Sequence, residues 1–110
     1  MLYSRFKGLA PWLQPYADWL WRWAQLNGLR PIVTSVYRSD AHQATLYDRY
    51  RRGLSDLPAA PPGRSKHGKR LAFDMVVMND YRSSQQAAVG AVWQRMGGRW
   101  FASDPVHFEV

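Results

Sequence analysis

A chain of 110 residues, 46% apolar and 15% aromatic, matches one domain with a real core, taken here as a single domain over 1–110. It has no cysteine, which excludes disulfides and thiolate metal sites and leaves His, Asp and Glu as possible metal ligands. Fifteen Lys and Arg against eight Asp and Glu give a formal charge of +7 and a pI near 10.3; this balance attracts nucleic acid, anionic lipid or anionic cell-wall polymer without choosing among them.

Pro11 to Asn27 reads as the first helix, or a helix beginning at Pro15. Proline suits a first turn, and Asn27-Gly28 is a stop signal. Leu13, Ala17, Leu20 and Ala24 recur at helical spacing, with Tyr16 and Trp23 widening that face. Ile32 to Tyr37 is a short β-rich run, expected as a buried strand. Ser39 then reads as the N-cap of a helix from Asp40 to about Arg52, closed by Gly53. Leu54 to Arg64 is a loop punctuated by Pro58, Pro61, Pro62 and Gly63.

Leu71 to Met78 reads as a second strand, apolar on both sides of Asp74. An acid inside such a run needs a reason, because burying a lone carboxylate is costly. Ser83 or Ser84 caps a third helix through Met96, with Val89, Val92, Trp93 and Met96 inward. Gly97-Gly98 turns the chain into two closing strands, Arg99 to Phe101 and Val106 to Val110, around Asp104-Pro105. The expected class is α+β, a small antiparallel sheet with helices packed on it. No apolar run reaches membrane-spanning length, so no stable membrane insertion is expected. The start, Met1 to Arg5, lacks the apolar stretch and cleavage site of a signal peptide.

Chemistry concentrates in Ser65-Lys66-His67-Gly68-Lys69-Arg70-Leu71-Ala72-Phe73-Asp74 and in Asp104-Pro105-Val106-His107-Phe108-Glu109. His67, Asp74 and His107 make a three-ligand set for one zinc ion, with a fourth position left for water. Zinc acidifies such a water and polarises a carbonyl, and the chemistry then needs a base and a cation nearby. A tight turn would bring the Asp104 carboxylate to that position. Glu109, two residues past His107 on a strand, shares its face and would accept a hydrogen bond from the imidazole. His42 lacks such a context and is expected on an exposed helix face. The basic residues Arg64, Lys66, Lys69 and Arg70 flank this proposed cleft.

These residues carry a resemblance. Ser65-x-His67 with Ala72 and Asp74, then Gly98-x-Trp100 and Asp104-x-x-His107-Phe108-Glu109, resemble the signature of LAS-type zinc peptidases. That family contains the D-alanyl-D-alanine carboxypeptidases and the phage L-alanyl-D-glutamate endopeptidases. Thr34-Ser35-Val36-Tyr37-Arg38-Ser39, followed by Gln43 and Leu46-Tyr47, resembles the family's Ser-Gly-Tyr-Arg-Ser segment. The resemblance spans nearly the whole chain. It implies a hedgehog/D-Ala-D-Ala-peptidase-like fold, zinc on His67, Asp74 and His107, and Asp104 as base and then acid. It also implies that Arg38 positions substrate or stabilises the oxyanion, and that Ser65 and Gln43 line the cleft. Arg70 and Val36 stand where glycine is usual. A positive φ at position 70 would strain an arginine, and Gly68 is the alternative source of the turn.

The function implied is zinc-dependent hydrolysis of peptide bonds in bacterial peptidoglycan. An endolysin-like L-alanyl-D-glutamate endopeptidase is favoured, with a D-alanyl-D-alanine carboxypeptidase or a non-catalytic zinc-binding wall module as alternatives. The expected partners are peptidoglycan peptides, acted on by a monomer made in the cytoplasm and working in the periplasm or wall after release, or as a virion component. A nucleic-acid partner is not expected despite the charge, because no zinc finger, RNA-binding sheet motif or recognition helix is present.

Overall fold

The computed structural model describes residues 2–110; Met1, where the reading of the N-terminal segment begins, lies outside the described residues. Three α-helices and four strands follow a short 3-10 turn, Ser4–Phe6, that buries Phe6. In chain order they are α1 (Gln14–Leu26), β1 (Ile32–Ser35), α2 (Asp40–Arg51), β2 (Ala72–Val76), α3 (Ser84–Arg95), β3 (Arg99–Trp100) and β4 (His107–Glu109). The strands form one antiparallel sheet in the order β1-β2-β4-β3.

Helix starts follow local chemistry. Ser39 and Ser83 are both extended, and each hydroxyl accepts from a backbone N–H three residues on, His42 at 3.2 Å and Gln86 at 3.1 Å. Such caps each contribute about 1 kcal/mol. α1 begins at Gln14 with Pro15 in its first turn, the later of the two expected starts.

One face of the sheet is dry. Phe73, Met75, Val77 and Phe108 pack there against Leu13, Ala17, Leu20 and Ala24 of α1 and its approach, and against Val89 and Trp93 of α3. Phe73 and Phe108 are cross-strand partners whose rings stack 5.2 Å apart. Three expectations need correction. Tyr16 does not widen the inner face of α1; it is exposed, because the stripe through Leu13, Ala17 and Leu20 already fills the interface. β1 is an edge strand rather than a buried one, with Ile32 half exposed, since it pairs only with β2. The second strand is also shorter than Leu71 to Met78, because the Gln86 side-chain oxygen takes the Val77 N–H at 2.9 Å.

α2 behaves differently from the other two helices. Gln43 is its one buried residue, and Gln43, Leu46 and Arg49 line a cleft over the opposite, polar face of the sheet.

Candidate metal centre

Strand pleating builds the site. Side chains alternate across a sheet, so Phe73 and Met75 enter the core while Asp74 between them faces the cleft. In β4, Phe108 enters the core while His107 and Glu109 face the cleft. The register then pairs Asp74 directly with His107 and Ala72 with Glu109. His67 arrives from outside the sheet, on a helical turn running from Ser65 to Lys69. Ser65, itself buried, accepts from the His67 N–H at 3.1 Å and holds that turn.

That turn ends with the Arg70 N–H donating to His67 O at 3.2 Å and the Leu71 N–H to Lys66 O at 3.0 Å. This bond pair is a helix C-terminal motif that places its penultimate residue in the left-handed region. Arg70 has φ +63°, and Gly68 is not among the residues with positive φ. The turn is therefore not supplied by Gly68, and arginine bears a conformation costing about 1–2 kcal/mol. Its side chain offsets part of that cost by donating to Gly8 O at 3.1 Å and lying 4.1 Å over the Tyr37 ring. Arg70 thus turns away from the cleft, and of the four flanking cations only Arg64 and Lys66 line it.

His67, Asp74 and His107 each offer a donor atom, all within 4.8 Å of one another. His67 Nδ1 donates to the Val36 carbonyl at 2.6 Å, so its Nε2 faces Asp74 Oδ1 at 3.0 Å. His107 Nε2 donates to Glu109 Oε1 at 2.8 Å, leaving Nδ1 at 3.4 Å from the same Asp74 oxygen. Each imidazole is therefore anchored through one nitrogen and turned toward a shared point through the other, the arrangement in which histidines bind metals. Val36 contributes through its main chain, while its side chain packs against the core, so valine in place of the usual glycine leaves this bond intact.

Arg38 lines the cleft with its guanidinium against Asp74 Oδ2. It also donates to Ser35 Oγ at 2.9 Å and to Gln43 Oε1 at 3.3 Å, and Gln43 donates to Ala60 O at 2.7 Å. Arg38 thus occupies the Asp74 oxygen that faces away from the histidines. Asp104 stands on the cleft wall. Its turn is fixed by the Pro105 carbonyl, which accepts from Gln86 Nε2 and Trp100 Nε1, both at 2.8 Å. The Trp100 indole rests on Gly90, where an added Cβ would come within 2.2 Å of the ring. His42 is exposed and outside this group.

Electrostatics separate the two carboxylates. Burial works to raise Asp74, but hydrogen bonds from His107 and His67 and the Arg38 charge hold it well below the ordinary carboxylate range. Burial pushes Asp104 up to about 6, with Asp74 adding in the same direction against the pull of His107, His67 and Arg38. Burial also works against the His107 cation, yet Asp74 and Glu109 lift it above its ordinary value.

Sequence reasoning did not single out Ser35, Val36 O or Gln86. The Gln86 amide bridges Val77 N–H, Met75 O and Pro105 O. A glutamine at a core-facing position of an otherwise apolar helix face was the available signal.

No family model matches the chain, and no curated protein matches it. Solved structures do. The LdcB LD-carboxypeptidase superposes with a TM-score of 0.69 at 23% identity, covering 93% of this chain and 65% of that one. The VanXYg D,D-dipeptidase, solved with a D-Ala-D-Ala phosphinate analogue, gives 0.70 at 16%, covering 92% and 49%. The VanY D,D-pentapeptidase E175A mutant, solved with Zn(II), gives 0.61 at 21%, covering 92% and 71%. The chain therefore spans just under two thirds of the first and about half of the second. It has the D-Ala-D-Ala-peptidase-like α+β fold. More particularly, it carries on that fold a His-Asp-His group able to hold one metal ion.

Proposed function

We propose that the chain is a zinc-dependent peptidase acting on the peptides of bacterial peptidoglycan. The observation that carries this reading is the convergence of His67 Nε2, His107 Nδ1 and Asp74 Oδ1 at one point of an open cleft walled by Asp104. The donor set fits zinc: three nitrogen and oxygen ligands, both imidazoles tautomerically fixed, and one side open to the cleft. Zinc, when bound, supplies a Lewis acid that polarises the scissile carbonyl and acidifies the attacking water.

The remaining work belongs to the chain. Asp104 takes the proton released as water attacks the carbonyl and delivers it to the departing amine nitrogen. Burial of the Asp104 carboxyl favours its uptake of a proton, as a group that must first bind and then release one requires. Arg38 and Glu109 hold Asp74 and His107 in their ligating orientations.

Within this class the favoured substrate bond is the L-alanyl-D-glutamate bond of the stem peptide, cut as a phage-type endopeptidase cuts it. Such an enzyme meets its substrate in the wall, after release through a membrane pore or carried in a virion. The neighbours named as an LD-carboxypeptidase and D,D-peptidases favour the alternative, removal of a terminal D-alanine.

Mass spectrometry of peptidoglycan digested by zinc-loaded protein decides between them. New internal termini identify an endopeptidase, and loss of one D-alanine a carboxypeptidase. Asp104→Ala is expected to retain zinc and lose about 10²–10⁴-fold in rate. Absence of any new terminus in every peptidoglycan preparation would refute the peptidase reading.

A further inference from the structure

The charges lining the cleft are not all matched. Arg38 is held by Asp74, Lys66 donates to Val110 O at 3.1 Å, and Glu109 accepts from His107. Arg49 and Arg64 also line the cleft, are exposed, and form no ion pair or side-chain hydrogen bond among the described residues. The acids nearest them in sequence are engaged elsewhere: Asp48 with Arg52 at 3.4 Å, and Asp56 with Arg82 at 3.5 Å. Leu46, Leu57 and Ala60 supply apolar lining to the same cleft. Two unpaired guanidiniums beside apolar surface in a cavity of about 550 Å³ are suited to a carboxylate, which the planar fork grips through paired N–H donors.

We propose that Arg49, on α2, and Arg64, on the loop before His67, form a carboxylate-binding subsite in the cleft, so that the preferred substrate bears a free carboxylate. This rests on the peptidase reading for its setting. The carboxylate has two sources in a stem peptide: one pendant on a γ-linked glutamate, or the C-terminal carboxylate itself.

The test uses zinc-loaded Asp104→Ala protein and three forms of the peptide L-alanyl-γ-D-glutamyl-L-lysyl-D-alanine, with both carboxylates free, the pendant one amidated, or the terminal one amidated. One amidation is expected to weaken binding about tenfold or more, and which one identifies the source. Adding Arg49→Gln and Arg64→Gln together is expected to remove that discrimination. Arg95→Gln, which removes one positive charge at the far end of α3, is expected to leave it in place. Equal binding of all three peptides, no binding of any, or discrimination that survives the double substitution would overturn the subsite. Wild-type hydrolysis of the three peptides separates the two claims. Turnover without discrimination keeps the peptidase and removes the subsite; discriminating binding without turnover does the reverse.

Discussion

The two faces of strands β2 and β4 are built from alternate residues of the same short segments, yet they are held by different physics. On one face Phe73 and Phe108 stack in a dry core with Met75 and Trp93. On the other, Asp74 and His107 meet across the same ladder in a network with His67, Arg38 and Glu109. The first face gains from removing area from water, a term without direction or pH dependence. The second is stable only while each buried charge has its partner, so it is directional, titratable and replaceable by a metal. A strand one residue out of register would exchange the two faces and destroy both.

The largest effect expected in breaking this comparison is on the dry face. Phe73→Ala should cost about 3–5 kcal/mol in denaturant unfolding, while molecules that remain folded keep their metal affinity. A loss of metal affinity greater than the loss of folded protein would mean that the two faces are not separable.

Glu109→Gln acts on the polar face. It removes the negative acceptor from His107 Nε2 and should weaken zinc binding about 10–100-fold, with an unfolding midpoint in chelator that moves far less than for Phe73→Ala. A competition titration against a chromogenic chelator measures it.

Acidity sharpens the contrast further. In the metal-free protein His107 is raised above 6.5, so its contribution is fully present below that value and is lost as pH rises through the folded-state value. Asp104, raised from 3.8 to about 6, makes the folded state progressively less favourable between those values, because only the unfolded chain ionises there. Metal-free thermal stability should therefore fall as pH rises toward about 6 through Asp104, and go on falling above 6.5 as His107 loses its proton. Zinc requires deprotonated imidazoles, so the stabilisation by zinc should grow over the same interval. Parallel melting curves with zinc and with chelator check both signs; parallel pH trends would contradict the proton–metal exchange.

The smallest effect tests the turn that delivers His67. Arg70→Gly relieves the backbone at φ +63° but removes the contacts to Gly8 and Tyr37. The opposing terms, each about 1 kcal/mol, predict a net change within about 1 kcal/mol by denaturant titration and unchanged zinc affinity.

Much of this arrangement was legible in the chain. The capping serines Ser39 and Ser83, the stripe Leu13, Ala17, Leu20, Ala24, and an acid set in an apolar strand are local signals, and each corresponds to what the fold contains. The exposed Tyr16 and the edge position of β1 were not legible, because aromatic content and β-propensity do not say what lies opposite. The position of the positive φ stayed open between Arg70 and Gly68, because glycine is the better local candidate; the hydrogen bonds to His67 O and Lys66 O select position 70. The bridging Gln86 was invisible because its partners, Met75, Val77 and Pro105, come from segments on either side of it.

Local order by itself determined the α+β class, the helix starts and the identity of the residues able to bind a metal, since propensity, capping and donor chemistry reside in neighbouring residues. Only the tertiary structure decided that Asp74 pairs with His107, that the Val36 carbonyl orients His67, and that Arg38 sits against Asp74 while Arg49 and Arg64 line the cleft with no ion-pair partner among the described residues. Those outcomes depend on strand register and on contacts between residues as many as 36 positions apart, and long-range pairing is set by the packing of the whole domain rather than by any segment of it.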